Sequence, residues 1–304
     1  RALVVGRLAH RTVAPVDEET AILRVESVAK SYGGVRAVDD VSLAVPRGQF
    51  IGIIGANGAG KTTLLDLLSG FVPLDTGRVE MLGRDVSAWT PDRRAEIGLG
   101  RVFQHARMFP NLTVRETVAV ALSRRAEVRE PIAHILRLPA AWRSEQRLFA
   151  EVDEVLERLE LTGVREAPTR DLSTGTRRIV ELAGVVANRP ELLLLDEPTA
   201  GIDERETEEL AAVLSELHRS TGATFVMIEH DVELIAHLSD RLVCMDHGAV
   251  IADGAPAEVL RHEAVLEAYL GPGEHGEEPR RRSRSRRARP APAGSLANTE
   301  VLDR

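Results

Sequence analysis

Gly55-Ala-Asn-Gly-Ala-Gly-Lys61-Thr62-Thr63 follows directly on an apolar run, Gln49-Phe-Ile-Gly-Ile-Ile54, and fits the pattern G-x-x-x-x-G-K-[ST]. A buried strand, a glycine-rich loop and a helix from Lys61 to Ser69 are the expected order. Gly55, Gly58 and Gly60 let the backbone curl, so that the N–H groups of the loop, Asn57 and Ala59 included, turn inward toward phosphate oxygens. The helix adds its positive N-terminal end to the same place. Lys61 supplies a mobile charge for the β- and γ-phosphates, and the Thr62 hydroxyl, beside Thr63, can take a place on Mg²⁺. The segment reads as a binding site for a nucleoside triphosphate.

The rest of the composition narrows the class. The 304 residues leave room for one large α/β domain or two small ones, and 43% hydrophobic residues with 3% aromatics describe an aliphatic core. No stretch approaches 18 uninterrupted apolar residues, so no membrane-spanning helix is expected. Residues 1–12 lack the apolar centre of a signal peptide. The single Cys244 allows no internal disulfide and sits in an apolar run, which predicts a buried, inert thiol. These features suit the cytoplasm. The net charge of −8 joins two unlike parts, because residues 280–304 carry +6 and residues 1–279 carry −14. The acidic body argues against a nucleic-acid-binding globule. The Arg/Pro/Ser/Ala-rich tail, 272–304, reads as a solvated disordered extension, with an anionic membrane surface or nucleic acid as its other possible partners.

Apolar runs alternating with periodic segments predict an α/β fold with a largely parallel sheet. Early strands are expected at Ile22–Ser27 and Val41–Val45, the latter in an antiparallel, half-exposed sheet. Others are expected at Gly77–Leu82, Gly98–Phe103, Leu192–Leu195, Thr224–Ile228 and Arg241–Met245, with helices from about Glu204 and Asp231. Between Asn111 and Gly163 the pattern turns helical. Thr113-Val-Arg-Glu116 matches a capping box, Ala140–Leu159 has apolar residues at helical spacing, and Pro131–Pro139 reads as a linker.

A second motif, Leu192-Leu-Leu-Leu-Asp196-Glu197-Pro198, ends a fully apolar strand in two acids. Asp196 can hold a Mg²⁺ shell and Glu197 can orient and deprotonate an attacking water. With both motifs in place the chain resembles an ABC-type ATPase subunit, over roughly residues 22–271, and is expected to be a P-loop NTPase with an antiparallel β subdomain, a mainly parallel core sheet and a helical insert at about 111–188. Further matches follow in the family's order. Tyr32, in Lys30-Ser-Tyr-Gly-Gly, stands where the family stacks an aromatic on adenine. Gln104 matches the glutamine that senses the γ-phosphate and Mg²⁺. Leu172-Ser173-Thr174-Gly175-Thr176 occupies the signature slot, Ala200-Gly-Ile-Asp203 the loop coupling two sites, and His230 the switch histidine.

The signature departs from the usual LSGGQ at Thr174 and Thr176. Ser173 and Gly175, which in the family reach the γ-phosphate bound by the opposite subunit, are retained. The resemblance implies two ATPase subunits meeting head to tail, as a homo- or heterodimer, with Glu197, His230, Gln104 and Lys61 carrying hydrolysis of Mg²⁺-ATP. The stretch from Gly100 to Glu116 and the ending Glu267-Ala-Tyr-Leu-Gly271 look like the ATPases of branched-chain amino acid importers. That implies permease partners, an extracytoplasmic substrate-binding protein and a place on the cytoplasmic face of the membrane. A lipid-export ATPase and a soluble ABC protein acting on nucleic acid or the ribosome are the alternatives. Residues 1–21 form an extension or linker, whose basic, partly apolar start is compatible with a permease domain fused ahead of Arg1.

Overall fold

The computed structural model describes residues 21–103, 108–123 and 139–270. β1 (Ala21–Tyr32) and β2 (Val35–Pro46) come first, and β3 (Phe50–Ile54) leads through the glycine loop into α1 (Lys61–Ser69). β4 (Thr76–Met81), β5 (Arg84–Asp85) and α2 (Pro91–Glu96) precede β6 (Leu99–Val102). α3 (Val114–Leu122), α4 (Pro139–Arg158) and α5 (Thr174–Val186) follow, the last two separated by single 3-10 turns at Thr162–Val164 and Thr169–Asp171. Strands and helices then alternate as β7 (Leu192–Asp196), α6 (Glu204–Thr221), β8 (Thr224–Ile228), α7 (Val232–Leu238) and β9 (Arg241–Asp246). β10 (Ala249–Gly254), α8 (Pro256–Val259) and α9 (Glu263–Leu270) complete the described chain.

The larger sheet has the order β10-β9-β3-β8-β7-β6 and is parallel except for β10. β3, β7 and β8 are buried at every position. Their unbroken apolar runs follow from being covered on both faces. One face places Ile51, Ile53, Leu192, Leu194, Val226 and Ile228 against Leu64, Leu65, Leu67 and Leu68 of α1. The other packs Phe50, Leu193, Leu195, Phe225 and Met227 with Leu210, Leu214 and Leu217 of α6.

The smaller sheet, β2-β1-β4-β5, is antiparallel throughout. Its first two strands run for 12 residues each, about twice the length expected from sequence. Register shifts interrupt the β1–β2 pairing between Val25 and Val28, where Ser27 takes a left-handed φ of 47°. That break falls where the expected first strand ends, at Ser27.

Thr113 caps α3 as expected, accepting from the Glu116 N–H while the Glu116 side chain returns to the Thr113 N–H. α3, α4 and α5 share a third cluster built on Val118, Leu122, Val152, Leu156 and Val180. At the far end of α1, the buried Arg94 donates 2.7 Å hydrogen bonds to the carbonyls of Leu67 and Leu68. These satisfy acceptors that a helix C-terminus leaves open. The N-terminal extension, Gln104, the linker at residues 131–138 and the Arg-rich tail lie outside the described residues.

Candidate functional site

Parallel pairing brings the carboxyl ends of β3, β6, β7, β8 and β9 to one edge of the sheet, where ligands bind in such folds. β3 ends in the glycine loop. Gly60, with φ 99°, is the N-cap of α1, and no side chain caps its first turn. The N–H groups of Lys61, Thr62 and Thr63 are therefore the open donors of a nine-residue helix. Asn57, Gly58 and Thr62 are exposed beside them, and Ala59 is buried. The loop has a fixed outer wall. Gly248 donates to the Ala59 carbonyl at 3.0 Å, Asp39 donates to that of Gly248 at 2.9 Å, and a Cβ on Gly60 would lie 2.1 Å from the Ala37 oxygen.

Lys61 is 5% exposed and donates from Nζ to the carbonyls of Gly55 at 2.8 Å and Ala56 at 3.0 Å. Burial pushes its pKa down, against the pull of Glu197, Cys244 and Asp196. Asp196 ends β7 buried, with burial pushing its carboxyl up and the Arg101 guanidinium pulling it back. Glu197 leaves the strand with a left-handed φ of 47°, its N–H held by the Ile228 carbonyl at 3.0 Å. His230 approaches it from the end of β8, placing Nε2 2.7 Å from Glu197 Oε1. Glu229, 3% exposed, braces this pair by accepting from the N–H groups of Thr199 and His230, each at 2.9 Å. Two residues from motifs 33 positions apart thus meet in one carboxylate–imidazole contact.

The other candidates make contacts of their own. Tyr32, 48% exposed at the end of β1, carries the Lys30 ammonium 5.6 Å from its ring centroid. Ser173 caps α5 by accepting from the Thr176 N–H, and the Thr176 hydroxyl lies 3.0 Å from Ser173 Oγ. Gly175 donates to the Glu206 carboxylate at 3.1 Å, and Asp203 caps α6 through the Glu206 N–H. These bonds of Ser173 and Gly175 stay within α5 and α6 and none reaches the glycine loop.

Comparison with known proteins closes the question of family. Residues 38–200 match the ABC transporter family, and residues 249–271 match a second description, branched-chain amino acid ATP-binding cassette transporter. The chain belongs to the ABC transporter ATP-binding family. This ABC ATPase is 34% identical to the high-affinity branched-chain amino acid transport ATP-binding protein BraF of Pseudomonas aeruginosa, over 82% of this chain and 98% of that one. It is 35% identical to the sulfate/thiosulfate import ATP-binding protein CysA of Synechococcus elongatus, over 85% and 70%. A solved ATP-binding cassette of an ABC transporter in its ADP conformation superposes with a TM-score of 0.71 at 29% identity, covering 83% of this chain and 99% of that one. The ABC cassette therefore binds nucleotide, and its activity is ATP hydrolysis coupled to transport.

The donor set also fits a hard divalent cation. Asp196 Oδ1 is buried with no hydrogen-bond partner, and an exposed Thr62 hydroxyl stands at the mouth of the loop. No three His, Cys, Asp or Glu side chains among the described residues gather into a metal cage. One free carboxylate oxygen and one hydroxyl make a donor set for a cation that keeps most of its own waters.

Sequence reading missed three residues of this ABC ATPase. Glu229 sits beside His230 but carries no pattern of its own. Arg101 and Tyr269 reach the site only through tertiary contact, the Tyr269 hydroxyl accepting from the Gly55 N–H at 2.8 Å.

Proposed function

We propose that this chain is the ATP-hydrolysing subunit of an importer for branched-chain or related amino acids. Overall identity does not discriminate, because an amino-acid relative and a sulfate/thiosulfate relative stand at similar levels. The observation that carries the reading is the match of residues 249–271 to the C-terminal segment of branched-chain amino acid cassettes. Its partners in this reading are permease domains, separate or fused, a second ATPase subunit and an extracytoplasmic binding protein. No described helix is long and apolar enough to cross a membrane.

The residue roles follow from chemistry at the strand ends. Lys61 and the open N–H groups of α1 bind the phosphates, and Tyr32 stacks on the base. Glu197 accepts the proton of the attacking water, held in place by His230 and braced by Glu229. Mg²⁺, held through Thr62, Asp196 and Gln104, would neutralise charge on the β- and γ-phosphates. Ser173, Gly175 and Asp203, whose hydrogen bonds go to Thr176 and Glu206, serve the site of the opposing subunit. Residues 22–271 act as one ATPase unit.

Reconstitution with the cognate permease and binding protein tests the proposal. Leucine, isoleucine or valine should stimulate hydrolysis in proteoliposomes while sulfate does not. Stimulation by none of the three amino acids refutes the substrate class. Salt-sensitive RNA binding without permease capture would favour the soluble alternative instead.

A further inference from the structure

Arg101 is placed where a strand side chain is rarely charged. It projects from β6 with its side chain 6% exposed, and burying a guanidinium requires both counter-charge and acceptors. Nη1 meets Asp66 Oδ1 at 2.7 Å, Ser69 Oγ at 2.5 Å and the Leu65 carbonyl at 3.4 Å, all on α1. Nη2 meets Asp196 Oδ2 at 3.2 Å. The rings of Phe103 and Phe71 lie against the guanidinium at 4.6 and 5.5 Å, restricting where it can move. One side chain therefore ties the helix that carries Lys61 to the acid at the end of β7. It takes only one oxygen of that acid, and Oδ1 is left buried and unpartnered.

We propose that Arg101 is a positioning residue for the nucleotide-bound divalent cation: it clamps Asp196 by Oδ2 against α1 and so presents Oδ1 to the cation's hydration shell. The inference rests on the reading of Asp196 given above. Three roles for Arg101 make different predictions. A merely structural bridge would lower stability on removal and leave the cation dependence unchanged. A merely electrostatic neighbour would weaken the cation, since a positive charge beside a cation site opposes it, and its removal would tighten Mg²⁺. A positioning residue predicts the reverse sign, because Asp196 loses the anchor that fixes its orientation.

The experiment is a Mg²⁺ titration of fluorescent-ATP binding to the full chain, with binding in EDTA as the reference. Arg101→Met should raise the Mg²⁺ midpoint about tenfold and keep affinity in EDTA within about twofold. A tenfold change corresponds to about 1.4 kcal/mol. Arg101→Lys, which keeps the charge without the fork, should fall between parent and Met. Asp66→Asn, which loosens the guanidinium without touching Asp196, should shift the midpoint the same way by less. An unchanged or lowered midpoint in folded Arg101→Met overturns the inference. Should that variant not fold, an unchanged midpoint in Arg101→Lys does so. Asp196→Asn separates the two layers. If it leaves the midpoint unmoved, the cation reading of Asp196 falls and this inference with it. If it raises the midpoint while the Arg101 variants do not, the inference alone falls.

Discussion

Two glycines of the same loop give a test whose size can be worked from the structure. Gly58 and Gly60 both have left-handed φ, 84° and 99°, so alanine at either carries about 1–2 kcal/mol of backbone strain. They differ in space. A Cβ on Gly58 meets no protein atom within 4 Å, whereas one on Gly60 would lie 2.1 Å from the Ala37 carbonyl oxygen. Such contacts settle near about 3.3 Å, so the loop or β2 must yield by about 1.2 Å. Gly60 adjoins Lys61 and the first open N–H groups of α1, and a misplacement of about 1 Å at reacting groups costs about 100-fold. Gly58→Ala should therefore lower the melting temperature by about 2–8 °C, at 2–4 °C per kcal/mol for a domain of this size. Its hydrolysis should stay within several-fold of the parent, on the order of 1 kcal/mol of barrier. Gly60→Ala should melt lower still and lose about two orders of magnitude in hydrolysis. Thermal melts paired with phosphate-release assays on the two variants decide it. If both variants behave alike, the argument from the Ala37 wall is wrong.

Glu197→Gln should keep nucleotide binding and lose most turnover, with an ATP-bound dimer accumulating on size exclusion; near-parent hydrolysis would remove Glu197 from the role of base. Ser173→Arg should abolish hydrolysis while a monomer still binds fluorescent ATP, and full activity would show that the sites are not shared between subunits. Tyr269→Phe removes the acceptor from the Gly55 N–H, a loss of about 1 kcal/mol by ordinary hydrogen-bond energetics. Nucleotide affinity should fall severalfold in equilibrium binding, and an unchanged dissociation constant would mean that the hydroxyl contact does not stiffen the loop.

How much of this was legible in the chain depended on the kind of contact. β3, β7 and β8 were readable because doubly covered parallel strands are continuous apolar runs, and their polar ends mark the ligand edge. Thr113 and Glu116 were readable because a capping box is local. β5 and α2 were not read, being short and polar, and β10 was not read because it is short and exposed or half-buried at five of its six positions. Arg101 escaped because its partners, Asp66 and Asp196, lie 35 and 95 residues away in opposite directions, a relation that only the completed sheet creates. Thr176 is legible as a departure from the signature, but that its hydroxyl lies beside that of Ser173 is visible only in the structure.

The outer wall of the phosphate loop has a consequence for the order in which the molecule can be made. Ala37 and Asp39 emerge before the loop, but Gly248, which bonds both Asp39 and Ala59, emerges about 185 residues after Thr63. At ribosomal rates of about 5–20 residues per second, that interval is on the order of ten to forty seconds. Throughout it the nascent chain carries every residue of the motif and the Ala37 side of its wall, but not the Gly248 side that bonds Ala59. Nucleotide stabilises only the form it binds, so ATP draws toward the native state only chains that have already closed around residue 248. A chain halted before that point has the sequence of a phosphate loop with one side of its wall still unmade.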